Sequence, residues 1–207
     1  MALTLYSMPS SGNSYKVRLL LALLGREYRH ISCEYGSDGL ASAKASGKAP
    51  TDKVPSLEFE DGTVLAESNA ILFYLANGTP YWPEDKRTQA DVLSWMFFEQ
   101  NRHEGVIAVR TALSIYPHRA AQATPARMAE LLDTGHQILG FMETHLEGRE
   151  WFAGGAASVA DLALYGYTHT ADTLGGFDLS RFPAVKAWLD RVAGLPGYIP
   201  LDYIPDG

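Results

Sequence analysis

The sequence predicts an α/β domain followed by an all-helical one, and three observations carry that expectation. The first eighty residues alternate between strand-like and helix-like spacing of apolar side chains, Asp61-Gly62 sits between two short alternating runs, and no strand pattern recurs after Pro83. A chain of 207 residues can bury a sizeable core as one large domain or two small ones. The change of pattern favours two.

Each element follows from local spacing. Leu3-Thr-Leu-Tyr-Ser7 alternates as a strand, and Val17, Leu20, Leu21 and Leu24 recur as a helix face that Gly25 ends. Tyr28-Arg-His-Ile-Ser32 reads as a second strand, and the polar stretch from Gly36 to Ala49 as a loop with a short helix. Ser56-Leu-Glu-Phe-Glu60 and Thr63-Val-Leu-Ala66, joined by Asp61-Gly62, predict a hairpin with a tight type I′ turn. Ser68 then caps a helix through Ile71, Leu72 and Leu75, which Asn77-Gly-Thr-Pro80 stops. In the second part, residues 86–113 have helical composition. Thr124-Pro125 opens a long amphipathic helix carrying Met128, Leu131, Leu132, Ile138, Leu139, Met142 and Leu146. Ser158-Val-Ala-Asp161 is a capping-box variant before an apolar run, and Phe182-Pro-Ala-Val starts a last helix that Gly194 and Pro196 end. The expected organisation is therefore residues 1–77, a linker 78–85, and a helical domain 86–207.

Composition narrows the function classes. With 46% hydrophobic and 20% charged residues the chain reads as an ordinary globular protein. It has no uninterrupted apolar run of membrane-spanning length, and the residues after Met1 lack the pattern of a secretory leader, which points to the cytoplasm. Residues 1–80 hold seven Lys/Arg against eight Asp/Glu, and residues 81–207 ten against sixteen. Neither part offers the basic face that a nucleic acid needs, and the near-neutral first part suits a small anionic ligand better. Cys33 is the only cysteine. Internal disulfides, zinc clusters and CxxC redox pairs are thereby excluded, and Cys33, at the end of the second strand, reads as structural. No metal is expected.

Four motifs in order, L5-Y-S-x-P-S-S-G-N-S-Y-K-V-R18, K53-V-P-S-L57, E67-S-N-A-I-L-F-Y-L75 and S158-V-A-D-L162, resemble the cytosolic glutathione transferase family over essentially the whole chain. The loop with Ser10, Ser11 and Ser14 resembles the Zeta and Tau-like serine classes, and Ser11-Gly-Asn13 also resembles the Thr-x-Asn loop of the bacterial Nu class. The resemblance implies a thioredoxin-like N-terminal domain that binds glutathione and a helical domain that lines the pocket of a second, electrophilic or disulfide substrate. It also implies a two-fold homodimer.

On residue type alone, Ser10, Ser11, Asn13 and Ser14 are helix-capping residues. The family register assigns Ser11 to the glutathione thiolate, with Asn13 as a second donor and Ser10 as the alternative within a one-residue slip; Ser14 stays a cap. The energetics are adequate. A free thiol with a pKa of about 8.5 is only about 3% thiolate at pH 7, and lowering it by about two units takes roughly 2.7 kcal/mol. One hydroxyl donating to a charged sulfur supplies roughly 1.5–3 kcal/mol, and a helix N-terminus adds roughly 0.3–1 kcal/mol.

The remaining motifs carry binding roles by the same resemblance. Val54, before a cis Pro55, presents its backbone to a peptide-like ligand. Ser68 and the free N–H groups beside it hold the γ-glutamyl carboxylate, while Glu67 takes the ammonium. Lys53, or Lys48, reaches the glycine carboxylate. Arg102 and His103, on the aromatic-rich run W95-M-F-F-E-Q-N-R-H-E-G105, are candidates for the second-substrate pocket, although the spacing equally admits Glu99, Arg102 and Val106 as the inward set. Tyr6 is a rival for the thiolate, placed early in an alternating strand and read as core or pocket wall. Ser158 and Asp161 are assigned to folding. The functional expectation is a glutathione transferase that works on an electrophile or a disulfide, with disulfide reductase or peroxidase activity within its reach. A non-catalytic binding module and a glutathione-dependent isomerase are the alternatives.

Overall fold

The computed structural model describes residues 3–205. The outermost residues of both expected domains, 1–2 and 206–207, lie outside the described residues, as does the Met1 end read above for a leader. The chain divides into two compact units, one reaching to Trp82 and including the segment from Ala193 onward, the other spanning Pro83–Val192.

The first unit runs β1 (Thr4–Ser7), α1 (Gly12–Leu23), β2 (Arg29–Ser32), α2 (Asp38–Ala45), β3 (Ser56–Glu58), β4 (Val64–Ala66) and α3 (Ser68–Ala76). Its sheet has the order β2-β1-β3-β4, with β1 and β2 parallel and the other pairs antiparallel, as in a thioredoxin-like domain. Strand alternation sends Leu5 and Leu57, paired in register and fully buried, to one face and Tyr6 to the other. Tyr6 packs there with Cys33, Ala43 and Ala49, beneath α2. The α2 helix sits so close to the end of β2 that a Cβ on Gly39 would fall 2.1 Å from the Ser32 carbonyl oxygen. Helix α1 ends in a Schellman motif: Gly25 adopts φ +60°, and the N–H groups of Gly25 and Arg26 donate to Ala22 O and Leu21 O.

Two local expectations are corrected. The β3–β4 hairpin is closed by a three-residue loop, Glu60-Asp61-Gly62, rather than a type I′ turn. Phe59 N–H donates to Thr63 O, Gly62 N–H donates to Phe59 O, and only Gly62, at φ +82°, is left-handed. A type I turn followed by a left-handed glycine has this geometry, and Asp61 Oδ1 secures it by accepting from the Thr63 N–H and hydroxyl. Ser68 is the first helical residue of α3, not its cap; the cap position belongs to Glu67.

The second unit contains α4 (Lys86–Phe98), a π-helical segment Glu99–Ala108, α5 (Val109–Ile115), a 3₁₀ turn Pro117–Gln122, α6 (Pro125–Leu146), α7 (Val159–Thr168), a short 3₁₀ turn Leu179–Arg181 and α8 (Pro183–Ala193). Thr124 caps α6 by accepting from Arg127 N–H. The Ser158–Asp161 capping box is present, and the fully buried Asp161 carboxylate also accepts from Phe152 N–H and Trp188 Nε1–H, tying α7 to α8. Glu143 on α6 supplies the start of α8, accepting from the N–H groups of Ala184 and Val185. Among the described residues no helix is long and apolar enough to cross a membrane.

Candidate functional site

Ser7 ends β1, and the four residues after it turn the chain into α1. Ser11 occupies the cap position of α1 at φ −90° and ψ 128°, the extended conformation of a helix cap, yet its side chain makes no capping hydrogen bond. Its N–H donates to Met8 O at 3.1 Å, closing a turn. Ser14, read as a cap, is fully buried one turn into the helix, and its Oγ accepts from Met8 N–H at 3.0 Å. It fastens the loop rather than capping α1.

The other candidate serine is committed elsewhere. Ser10 Oγ donates to Glu34 Oε1 at 2.9 Å and Ser10 N–H donates to Glu34 Oε2 at 3.2 Å. Glu34 also accepts from Tyr35 N–H, so this carboxylate beyond β2 grips Ser10 from both sides. Sequence reasoning missed Glu34 because it lies 24 residues from its partner.

Asn13 and Ser68 meet. Ser68, buried at the start of α3, donates its hydroxyl proton to Asn13 Oδ1 at 3.3 Å. The first turns of α1 and α3 therefore lie side by side, with the positive ends of both helix dipoles close together. Glu67, just before Ser68, has φ +69° and ψ 113°. A non-glycine residue takes that left-handed φ only where its surroundings impose it. Its side chain is exposed. The Val54–Pro55 peptide is cis, with Val54 half-buried and Lys53 exposed beside it.

Tyr6 and Lys48 belong to a separate network. The Tyr6 hydroxyl donates to Glu58 Oε2 at 2.7 Å, and Lys48 Nζ pairs with Glu58 Oε1 and donates to Gly62 O at 3.3 Å. Burial, then the Glu58 carboxylate, pushes the Tyr6 phenol up to about 12. A hydroxyl so placed is a sheet fastening and not a pocket wall. The Lys48 ammonium is likewise taken up by the β3–β4 hairpin. Glu58 was not read from the sequence because in an alternating strand it resembles any solvated residue.

The helical candidates separate as well. His103 has no exposed surface, and its Nε2 lies 2.8 Å from Thr168 Oγ1. It is a core histidine, which corrects its expected place in a substrate pocket. Arg102 is exposed, its guanidinium 5.7 Å from the ring centres of both Phe98 and Phe141. Glu99 is also buried, so the inward set of this segment is Glu99, His103, Ile107 and Ala108. The π-helical segment explains the shift: its i→i+5 ladder carries more residues per turn than the 3.6 on which the reading relied.

A last residue escaped the sequence reading although a signal was present. Arg18 interrupts the apolar run of α1 and is fully buried.

Comparison with known proteins agrees with this geometry. The glutathione S-transferase N-terminal domain model matches residues 1–77, and the C-terminal domain model matches residues 106–196. A possible glutathione S-transferase from Rhodopseudomonas palustris, known from its crystal structure, is 43% identical, with a TM-score of 0.91 over 99% of this chain and 92% of that one. The disulfide-bond oxidoreductase YfcG of Escherichia coli is 27% identical, over 93% of this chain and 90% of that protein. Ure2p in complex with glutathione is 25% identical, with a TM-score of 0.83 over 95% of this chain and 90% of that one. The loop that carries Ser11, the meeting of α1 with α3, and both domain matches lead to one conclusion: the chain belongs to the glutathione S-transferase family.

Proposed function

We propose that residues 1–77 bind glutathione and that Ser11 donates a hydrogen bond to its thiolate, which then attacks an electrophile or a disulfide. The observation that carries this reading is the junction of Asn13 with Ser68. It sets two helix N-termini beside a serine whose side chain does not cap its own helix. In this reading Ser68 and the first N–H groups of α3 take the γ-glutamyl carboxylate, Glu67 takes the adjacent ammonium, the Val54 backbone pairs with the cysteinyl residue, and Lys53 meets the glycine carboxylate. Asn13 supports the thiolate as a second donor. Ser10 is the weaker candidate because its proton already goes to Glu34. Ure2p carrying glutathione in a similar fold supports the ligand.

The chemistry is then conventional for a thiolate. Attack on an electrophilic carbon forms a carbon–sulfur bond and expels the leaving group as an anion. Attack on a disulfide forms a mixed disulfide and releases the other sulfur as a thiolate. Arg102, the one exposed residue of the two offered on the helical unit, is the polar contact assigned to the second substrate. The reading is tested by titrating the ultraviolet absorbance of bound glutathione thiolate in wild type and Ser11→Ala. A thiol pKa well below that of free glutathione in wild type, rising in Ser11→Ala, is expected; identical pKa values in the two proteins would remove Ser11 from the mechanism. Binding without turnover on any thiol acceptor would leave a glutathione-binding module.

A further inference from the structure

A buried guanidinium needs acceptors for its donors; Arg18 Nε has none, but its two terminal nitrogens have specific partners. Nη1 donates to Ser7 Oγ at 2.8 Å and to Met8 O at 3.3 Å, while Nη2 donates to Pro9 O at 3.0 Å and to Leu201 O at 2.9 Å. One side chain thus holds the last residue of β1 and the first two residues of the loop that leads to Ser11. The nitrogen that holds Pro9 also holds the C-terminal segment. Met8 O is shared, since it accepts from Arg18 and from the N–H of Ser11 itself.

The C-terminal segment is seated on α1 at two further places. Tyr15, one turn before Arg18, donates its hydroxyl proton to Ile199 O at 2.8 Å. Gly197 adopts φ +88°, and a Cβ there would stand 3.2 Å from Ala22 O, so the tail backbone runs directly against the helix. Both hydrogen bonds go to tail carbonyls, which makes the docking depend on the backbone path of residues 199–201 and not on their side chains. The sequence reading left this segment with the helical half; the structure groups it with the first unit.

We infer that residues 195–203 form a strap that holds the Ser11 loop through Arg18, and that Arg18 is a positioning residue for the thiolate site. Its two nitrogens bridge the loop and the strap, and Met8 O passes the constraint to the turn that aims Ser11. Without the strap, Nη2 loses one of its two acceptors and the guanidinium is free to draw away from the loop. The inference rests on the reading that Ser11 faces the glutathione sulfur.

The test compares wild type with a chain ending at Gly197, with Gly197→Val, which keeps full length but forces the tail off α1, and with Arg18→Lys and Arg18→Met. Amide hydrogen exchange is followed without glutathione, and the thiol pKa of bound glutathione is titrated with its affinity. The expected result is exchange of the Ser11 amide faster by about tenfold in the truncated and Gly197→Val proteins, with the Leu57 amide of β3 unchanged. The bound thiol pKa should rise by about one unit at unaltered glutathione affinity, with Arg18→Lys intermediate between wild type and Arg18→Met. Wild-type exchange at Ser11 in Gly197→Val would overturn the strap. A thiol pKa that stays put while that exchange accelerates would overturn the positioning role. Should wild type show no bound thiolate, the Ser11 reading fails, and the exchange rates still decide the strap.

Discussion

The hydroxyl of Ser68 lies 3.3 Å from Asn13 Oδ1, joining the first turn of α3 to the first turn of α1 across 55 residues of sequence. The contact gives a ligand two helix N-termini within reach of one another. In the proposed reading the γ-glutamyl carboxylate of glutathione meets the start of α3 and its thiol the start of α1.

Glutathione should therefore stabilise the protein. At a hundred times its dissociation constant a ligand contributes roughly 2.7 kcal/mol. For a chain of this length that raises the melting temperature by roughly 5–10 °C. Ser68→Ala removes the link to Asn13 and the hydroxyl that turns from Asn13 to the carboxylate in the proposed reading, and should reduce the shift by more than half. A full shift in Ser68→Ala would show that the carboxylate is held elsewhere.

Ser10 and Ser11 should separate cleanly. Ser10 spends its proton on Glu34, and the family register places Ser11 at the thiolate. Ser11→Ala should lower kcat/KM by roughly tenfold to a hundredfold, the equivalent of about 1.4–2.7 kcal/mol. Ser10→Ala should act mainly through the loop and change it by less. The reverse order, measured with one electrophile under identical conditions, would shift the catalytic register by one residue.

Much of the fold was legible in the sequence because its signals are local. Periods of two and 3.6, the Ser158–Asp161 box and the position of the β3–β4 turn each depend on residues a few places apart. The turn type was not legible, since Asp-Gly serves both a two-residue type I′ turn and the observed three-residue loop with only Gly62 left-handed. Nor was the strained φ of Glu67, which tertiary packing imposes on a residue that does not favour it. At the site, residue types marked the loop, but the choice between Ser10 and Ser11 depends on Glu34 and the anchoring of the loop on Leu201, both distant in sequence. Arg102 and Val106 were read as inward partners of Glu99 because a regular helical period was assumed across a π-helical segment.

The Tyr6–Glu58–Lys48 network should give stability a defined pH window. Hydrogen bonds from Lys48 and then Tyr6 hold the Glu58 carboxyl below its usual range. Its contribution is therefore complete above the unfolded value of about 4.3 and is lost as pH falls through the lower folded value. Tyr6 is raised to about 12, so its contribution is complete below the unfolded value of about 10 and is lost as pH rises through the folded one. Tyr6→Phe removes a hydrogen bond to a charged group, worth roughly 1.5–3 kcal/mol. Denaturant unfolding from pH 9 to 12 should then show a flatter alkaline limb in the variant than in wild type, and parallel limbs would show that Tyr6 does not titrate in the folded state.

Assembly is the next expectation. Phe97 is 63% exposed and Leu93, one turn earlier on α4, is 38% exposed, an apolar pair that a monomer would leave in water. A two-fold homodimer that covers this face should sediment at about twice 22.6 kDa. Phe97→Asp should shift the micromolar population toward the monomer. A wild-type mass near 22.6 kDa at those concentrations would remove the dimer.

Reduction of a disulfide by glutathione should outrun conjugation to an aryl halide. The sulfur in this reading is held by Ser11 and Asn13, two neutral donors on one loop, with no tyrosine over it because the Tyr6 hydroxyl is bound to Glu58. In this reading the second thiol compound binds beside the thiolate. Thiol–disulfide exchange asks little more of a protein, since the rate follows the thiolate fraction, the leaving thiol and access. Conjugation to an aryl ring needs in addition a pocket that stabilises negative charge developing on the ring, and Arg102, the cation proposed for it, lies over Phe98 and Phe141. The measurement compares hydroxyethyl disulfide with an aryl halide in wild type, Ser11→Ala, Asn13→Ala and Tyr6→Phe. Reduction should lead in wild type and fall in both loop variants while Tyr6→Phe keeps it. Faster conjugation than reduction would sink the substrate class, and a large loss confined to Tyr6→Phe would return the thiolate to the tyrosine.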